Sequence, residues 1–497
     1  MTPAEKRRQV QAAPDDRKSR SLLAAPPRVG LSLIALFAAG CAVGPDYRTP
    51  DAPAPDSWHA LPQTGIRVEG ADAPSLASWW TAFEDQTLSS LIEHAIADNK
   101  TAEQARARVI EARARRGVTA GSFFPSINAS GGASRTESDA RFLDPEQGVI
   151  ARSNDEIYST GLDATWELDL FGGQRRAFEA ASANLAASEA DLRDVLVTLL
   201  GDVALNYTSV RATQARLEFA ERNLAAQAEL LEITRWRAEA GLATVLDVEQ
   251  AETSYQQTRA QIPSLESTLA QAMNRLAVLT GEVPGALHDQ LAARQAVPTA
   301  PDEIVTGVPA DVVRRRPDIR AAERRVAAQS AQVGVATAAL YPSFSLTGSI
   351  GLQSLSASDV LDGSRTDRLG LSLRIPLFAG GALRQNLRAQ YAVLDQAFAA
   401  YEETVLAAFE EVENALLGWT NEHRRREALV LATDAARRAR ELAVVQYNSG
   451  LVDFQTVVTA DRQLISLEDS LAVSDGELTS NLIRLYKALG GGWAVFP

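Results

Sequence analysis

Few side chains in this 497-residue sequence are equipped for covalent or metal chemistry. Cys41 is the only cysteine, so its thiol has no partner for a disulfide within the chain. The four histidines, His59, His94, His288 and His423, stand in unrelated contexts. No Ser-His-Asp order and no zinc-ligand spacing accompanies them. The glycine turns "LFGG" and "FAGGAL" lack the spacing and the Lys-Ser/Thr pair of a phosphate loop. With no convergent set to populate an active site, the chain is expected to be no enzyme and to carry no cofactor and no metal. A net charge of −14 argues against a nucleic-acid partner.

What Cys41 does is set by what precedes it. A long basic stretch (Lys6, Arg7, Arg8, Arg17, Lys18, Arg20, Arg28) leads into the apolar run "LSLIALFAAG" at 31–40. That run is a signal-peptide core, too short for a membrane span. "AAGC" resembles a bacterial lipobox, in which the cysteine becomes an acylated N-terminus. Residues 1–40 are therefore expected to be a signal peptide. Residues 41–75, rich in proline and without periodicity, are expected to form a lipid-anchored extended tether.

The next chemistry-bearing set is a row of charges on strands. "YPSFSLTGSIGL" at 341–352 alternates, with Phe344, Leu346, Ile350 and Leu352 opposite Ser343, Ser345, Thr347 and Ser349. In the earlier strand, Tyr158, Leu162, Ala164, Trp166, Leu168 and Leu170 oppose Asp163, Glu167 and Asp169. In the later one, Leu369, Leu371, Leu373 and Ile375 oppose Ser372 and Arg374. Asp163, Glu167, Asp169 and Arg374 thus mark a wet face, the lumen side of a barrel.

These strands recur because the chain is written twice. "RARRGVTAGSFFPS" (113–126) matches "SAQVGVATAALYPS" (330–343) at an offset of 217, and Phe171 falls over Phe378 at 207. Gly241 falls over Gly450 and "RLAVLTG" (275–281) over "RLYKALG" (484–490), both at 209. Repeat 1 spans 76–298, with a helix at about 80–117, a β-hairpin at about 124–170, a long helix at 174–240 and a return helix at 244–280. Repeat 2 spans 299–497, with helix 317–338, hairpin about 342–377, long helix 381–449 and helix 456–489.

The long helices need a partner. No proline interrupts 174–240, and that length spans about 100 Å at 1.5 Å per residue. Leu196, Val203, Val210, Leu217, Leu224 and Leu231 keep a seven-residue step, as do Tyr391, Phe398, Val405, Val412 and Trp419. Such a period gives a left-handed coiled coil. Gly241 and Gly450 end the rods. In "RRRPDIR" (314–320), Pro317 starts a helix and the arginines serve neighbouring carboxylates.

Four amphipathic strands of about ten residues have the length of membrane-crossing strands. Four cannot close a barrel, and open edges cannot sit in lipid, so the barrel must be shared between chains. Two copies give eight strands and three give twelve; both remain open on these grounds. A trimeric adhesin keeps its strands together at the C-terminus, whereas these hairpins lie mid-chain between helices.

The stretches "CAVGPDY" (41–47), "WWTAFEDQTLSSLI" (79–92), "WELDLFGGQRRAFEAA" (166–181), "GVPADVVRRRPDIRAAERRVAAQSAQVGVATAALYPSFSLTG" (307–348) and "ALGGGW" (488–493) resemble the outer-membrane factor family. These are the channels of bacterial tripartite efflux pumps, here of the lipoprotein branch. The resemblance implies a mainly α fold with membrane β: a homotrimer whose twelve-stranded barrel, four strands per chain, sits on a long α-helical coiled-coil tunnel through the periplasm. It implies outer-membrane lipid around the barrel, acylation at Cys41, and a periplasmic adaptor and an inner-membrane RND-type transporter as partners. The same family also serves type I protein secretion, the alternative reading. Adaptor docking is expected at the tip turns around Gly241, Ala243, Ser449 and Gly450. Family channels narrow at this tip. The matching positions are Thr456 and Thr459, with Asp247 in the first repeat, Asp453 nearby, and Tyr447 at the place of a tyrosine that holds the closed tip. Three Asp247 carboxylates around one axis would attract cations.

Overall fold

The computed structural model describes residues 42–51, 55, 57–59, 66–67, 76–138, 153–299, 304–305 and 309–493. The signal peptide and Cys41 lie outside the described residues. Each repeat supplies a short helix, a β-hairpin, a long helix and a return helix. In the first these are α2 (Lys100–Gly121), β1 (Ser126–Ser138), β2 (Ser153–Leu168), α3 (Gly173–Glu239) and α4 (Val245–Leu279), preceded by α1 (Gln86–Asp98). In the second they are α5 (Pro317–Ala338), β3 (Ser343–Ser354), β4 (Ser364–Arg374), α6 (Ala382–Asn448) and α7 (Phe454–Ala488). The long helices match at 67 residues and the return helices at 35.

The first element departs from the sequence expectation. In place of one helix over about 80–117 there is a 3₁₀ turn (Trp79–Phe83), then α1, then α2. The break is Asn99. Its backbone is extended, and its side-chain oxygen accepts from Thr101 and Ala102 N–H at 2.9 and 3.0 Å. A side chain that caps the next helix this well stops the preceding ladder. Pro263 lies inside α4, which continues through it.

The four strands form one antiparallel sheet in the order β1-β2-β3-β4. Its registers keep the apolar residues together: Leu162 opposes Ile350, Trp166 opposes Leu346, and Leu346 opposes Leu371. Asp163 opposes Ser349, Glu167 opposes Ser345 and Arg374 opposes Ser343 on the other face. Within one chain the oily face is uncovered, with Ile127, Leu369 and Leu371 all well exposed. Among the described residues no helix is long and apolar enough to cross a membrane.

The main core lies along the middle of the helices, where Leu196, Val203 and Val210 of α3 and Val405, Val412 and Trp419 of α6 belong to one buried cluster bridged by α5 and α7. The heptad row of α6 is covered only in part, because Tyr391 and Phe398, nearer the sheet, stay exposed. Arg316 pins this region. Its guanidinium donates to Asp318, to Glu411 at 2.6 Å and to the Ala488 carbonyl at 3.0 Å, while Pro317 opens α5. Arg316 therefore serves carboxylates, as its acidic context suggests.

The described residues of the proline-rich segment are held against the helices. The Tyr47 hydroxyl donates to Glu323, and Trp58 is buried in the main core, its ring 6.1 Å from that of Phe409. The His59 N–H donates to Glu413 at 2.6 Å. Ile66–Arg67 then pairs in parallel with Ile304–Val305. Two aromatic anchors, more than any local periodicity, turn the segment into a strap.

Candidate functional site

Two places gather the chemistry-bearing residues. One is the pair of turns at the far end of the rods; the other is the junction between sheet and helices.

At the far end, α3 and α6 finish in the same way. Gly241 and Gly450 adopt left-handed φ of 71° and 75°. Leu242 N–H then reaches back to the Arg237 carbonyl at 2.7 Å and Leu451 N–H to the Gln446 carbonyl at 2.9 Å. This is the glycine-terminated helix end that satisfies the last carbonyls. Ala243 is half-buried and Ser449 exposed, the latter donating to the Val445 carbonyl at 2.9 Å.

The return helices start with capping pairs in opposite order. Thr244 caps α4, and Asp247, three residues on, closes a reciprocal box with it. Asp453 caps α7 instead, and Thr456 answers it, donating from N–H at 3.0 Å and from the hydroxyl at 2.6 Å. The repeat alignment places Thr244 over Asp453 and Asp247 over Thr456, so one Thr-Asp pair has exchanged places. This accounts for the threonine at 456: the acid has moved three residues toward the turn. The Asp453 carboxyl is held below its usual range, chiefly by the Thr456 hydroxyl. Thr459 is exposed and its hydroxyl donates to the Gln455 carbonyl at 2.8 Å, within its own helix.

Tyr447 stands apart from these exposed groups. It is buried in a tip core with Leu231, Ala251, Ala443, Phe454, Val457 and Val458, drawn from four helices. Its ring lies 5.3 Å from that of Phe454, and the Arg237 guanidinium sits over it at 4.4 Å. Burial pushes the phenol up, with Arg237 pulling it down and Asp247 pushing it further up. The tip thus brings Asp247 and Tyr447 together, with Arg237 between them in charge. Sequence reasoning missed Arg237, Thr244 and Phe454. Thr244 was legible as the residue aligned with Asp453; nothing local marks Arg237.

At the junction, α3 and α6 begin at Gly172 and Gly381, both with left-handed φ. Asp169, expected on the lumen face with Asp163 and Glu167, lies beyond the end of β2. Its carboxylate accepts from the N–H groups of Gln174 at 3.1 Å and Arg175 at 2.9 Å, capping α3. Asp163 and Glu167 remain in the sheet, and Asp163 accepts from the Ser130 hydroxyl at 2.6 Å. Arg374 ends β4 on the same face.

The chain just after Cys41 docks here. Val43 N–H donates to the Phe171 carbonyl at 3.1 Å. Arg176, itself buried, donates to the Val43 carbonyl at 3.3 Å and to Asp46 at 2.7 Å. A Cβ on Gly172 would lie 2.6 Å from the Ala42 Cα, and one on Gly44 would lie 2.5 Å from the Gly334 Cα, so both approaches require glycine. Tyr341 and Phe171 stack at 4.9 Å, and the Trp166 indole donates to the Phe123 carbonyl at 3.0 Å. Aromatic side chains gathered at one end of an apolar sheet face are the pattern of a membrane interface. Among the described residues no group of three or more His, Cys, Asp or Glu side chains could hold a metal ion.

The outer membrane efflux protein family matches this chain twice, over residues 91–282 and 308–491. Nodulation protein T of Rhizobium leguminosarum bv. trifolii is 32% identical over 460 residues, covering 92% of this chain and 96% of its own length. Outer membrane protein OprJ of Pseudomonas aeruginosa is 32% identical over 482 residues, 94% of this chain and 96% of that protein. The solved structure of the outer-membrane channel OprN superposes with a TM-score of 0.85 at 36% identity, covering 91% of this chain and 100% of that one.

Proposed function

The chain belongs to the outer membrane efflux protein family, and from that premise we propose that three copies of it form the exit duct of a tripartite efflux pump. It is an outer-membrane channel protein with its helical tunnel in the periplasm. One observation carries the reading: a four-stranded sheet with an uncovered apolar face and two open edges stands on rods about 100 Å long. Bare edges cost several kcal/mol per unpaired group in lipid, so closure by further copies is required. Three copies close twelve strands. The duct is passive; transport is driven by an inner-membrane RND-type transporter delivering through a periplasmic adaptor.

The residues take these roles. Cys41 is acylated after removal of residues 1–40, and the docking of Ala42–Asp46 at the junction supports an anchor at the membrane surface. Asp163, Glu167 and Arg374 face the lumen of the barrel. The adaptor engages the tip turns around Gly241, Ala243, Ser449 and Gly450. Asp247 and Asp453 supply negative charge at the periplasmic constriction, beside Thr456 and Thr459, and Tyr447 holds the tip core closed.

Expression with an adaptor and transporter in a strain lacking its own outer-membrane duct tests the proposal. Restored resistance to pump substrates is the expected result. Unchanged susceptibility, together with export of a protein substrate, would favour the type I secretion duct. Ala243→Trp and Ser449→Trp should abolish the restored resistance while trimers still assemble.

A further inference from the structure

The internal repeat fixes how one chain meets the next. Within a chain, β2 of the first hairpin pairs with β3 of the second, from Tyr158 opposite Ser354 to Leu168 opposite Phe344. The remaining edges are β4 and β1, the repeat equivalents of β2 and β3. We infer that β4 of one copy pairs with β1 of the next in the register copied from β2 and β3, setting Ile375 against Ile127, Leu373 against Ala129 and Ser372 against Ser130. The inference rests on the trimer proposed above and goes on to assign its seam.

The repeat offers two registers that keep the oily faces aligned, and they differ by two residues. Aligning Phe171 with Phe378 gives the one stated. Aligning the helix-capping glycines, Gly172 with Gly381, gives the other. Charge separates them. The first places Arg365 opposite Glu137 and Asp367 opposite Arg135, two attractive pairs on one face. The second places Asp367 opposite Glu137, a like-charge pair that destabilises a sheet. Arg135 already lies 3.4 Å from Glu156 within its chain and Arg365 3.9 Å from Asp367, so the seam would join two short ion pairs into one ladder.

The aromatic junction agrees. Phe171 stacks on Tyr341 within the chain; their equivalents in the first register are Phe378 and Phe124, and both are strongly exposed. Pro376, which has no N–H to give, falls just outside the first ladder but inside the second.

Barrel closure agrees as well. Following the observed rungs from β1 to β4 and on to the next β1 advances about six residues per copy in the first register, and about eight in the second. Twelve strands sheared by about eighteen residues tilt near 45°, whereas about twenty-four gives near 55°; membrane barrels tilt at about 35–45°.

Cysteine pairs read the register. Ser130 and Ser372 lie on opposite edges of one chain's sheet, three strand spacings or about 14 Å apart, so a disulfide between them must join two chains. Full-length protein in outer-membrane vesicles carrying Ser372→Cys with Ser130→Cys is oxidised beside one carrying Ser372→Cys with Gly132→Cys. The first should give at least about five-fold more heat-stable, reductant-sensitive covalent trimer, because opposed Cβ atoms approach closely and diagonal ones stand about 7–8 Å apart. Single-cysteine variants correct for any reaction through Cys41. Preferred crosslinking at Gly132→Cys, equal crosslinking, or none in particles of trimer mass overturns the register. Particles of any other mass overturn the trimer itself.

Discussion

The carboxylate of Asp247 takes both of its hydrogen bonds from Thr244, from the backbone N–H at 2.8 Å and from the hydroxyl at 2.9 Å, and both fall on the same oxygen. Cap and charge can therefore be separated. Thr244→Ala removes the cap and keeps the charge; a loss of about 1 kcal/mol in tip stability is expected, seen as faster amide exchange in the first turn of α4. Asp247→Asn removes the charge, and in planar bilayers its reversal potential in a salt gradient should show weaker cation preference. An unshifted potential would take Asp247 out of the constriction and leave it a helix cap.

A pH dependence follows from Asp194. Burial pushes its carboxyl from 3.8 up to about 6; Asp318 and Asp191 add to the rise, and Arg316 and Lys487 oppose it. A folded-state pKa above the unfolded one means that the folded chain binds the extra proton. Stability is then greatest below about pH 4 on this account and falls as pH rises through 6. Asp194→Asn should flatten that slope and stabilise the protein at pH 7.5 by roughly 2–3 kcal/mol, with little gain at pH 4. Melting curves at the two pH values check it; an equal change at both would be a packing effect.

Arg316 binds the start of α5 to α6 and to the end of α7. Arg316→Ala strands Asp318 and the Ala488 carbonyl and should cost about 3–5 kcal/mol. Arg316→Lys keeps the charge and loses the fork, so an intermediate loss is expected. Chemical denaturation of the three proteins orders them.

Release of the strap is predicted for Gly44→Ala. The substitution meets the Gly334 backbone and also forces an L side chain into a left-handed φ of 97°. Protease should then cut between residues 42 and 59 while the helices survive. Trp58→Ala should do the same from the other end and cost about 3–5 kcal/mol as well, since it empties a core site. Intact straps in both variants would mean that the Arg176 and Tyr47 hydrogen bonds suffice.

Much of this was legible in the sequence because it repeats over long distances. The heptads from Leu196 to Leu231, the alternation around Phe344 and the glycines at 241 and 450 each mark a regular element, and the duplication checks every one. The strap was not legible. Tyr47 and Trp58 are single aromatic residues in a proline-rich stretch, and burial of an isolated side chain leaves no period. Asp169 read as the next member of a strand row, yet β2 stops at Leu168 and the helix beginning at Gly173 claims its carboxylate. Asn99 did carry a signal, a capping residue inside a helical pattern, but the apolar period on either side masked it.

Helices of 22, 67 and 35 residues recur in that order in both halves. An indel of one residue in any rod would rotate all that follows by about 100° and carry its apolar stripe out of the wall. Only whole heptads, about 10 Å each, preserve the stripe, and they must enter α3, α4, α6 and α7 together for the two tip turns to stay level. Tunnel length can therefore change only in heptad steps. The connection between β3 and β4, with its 3₁₀ turn at Ala357–Asp362, lies outside the rods and carries no heptad constraint.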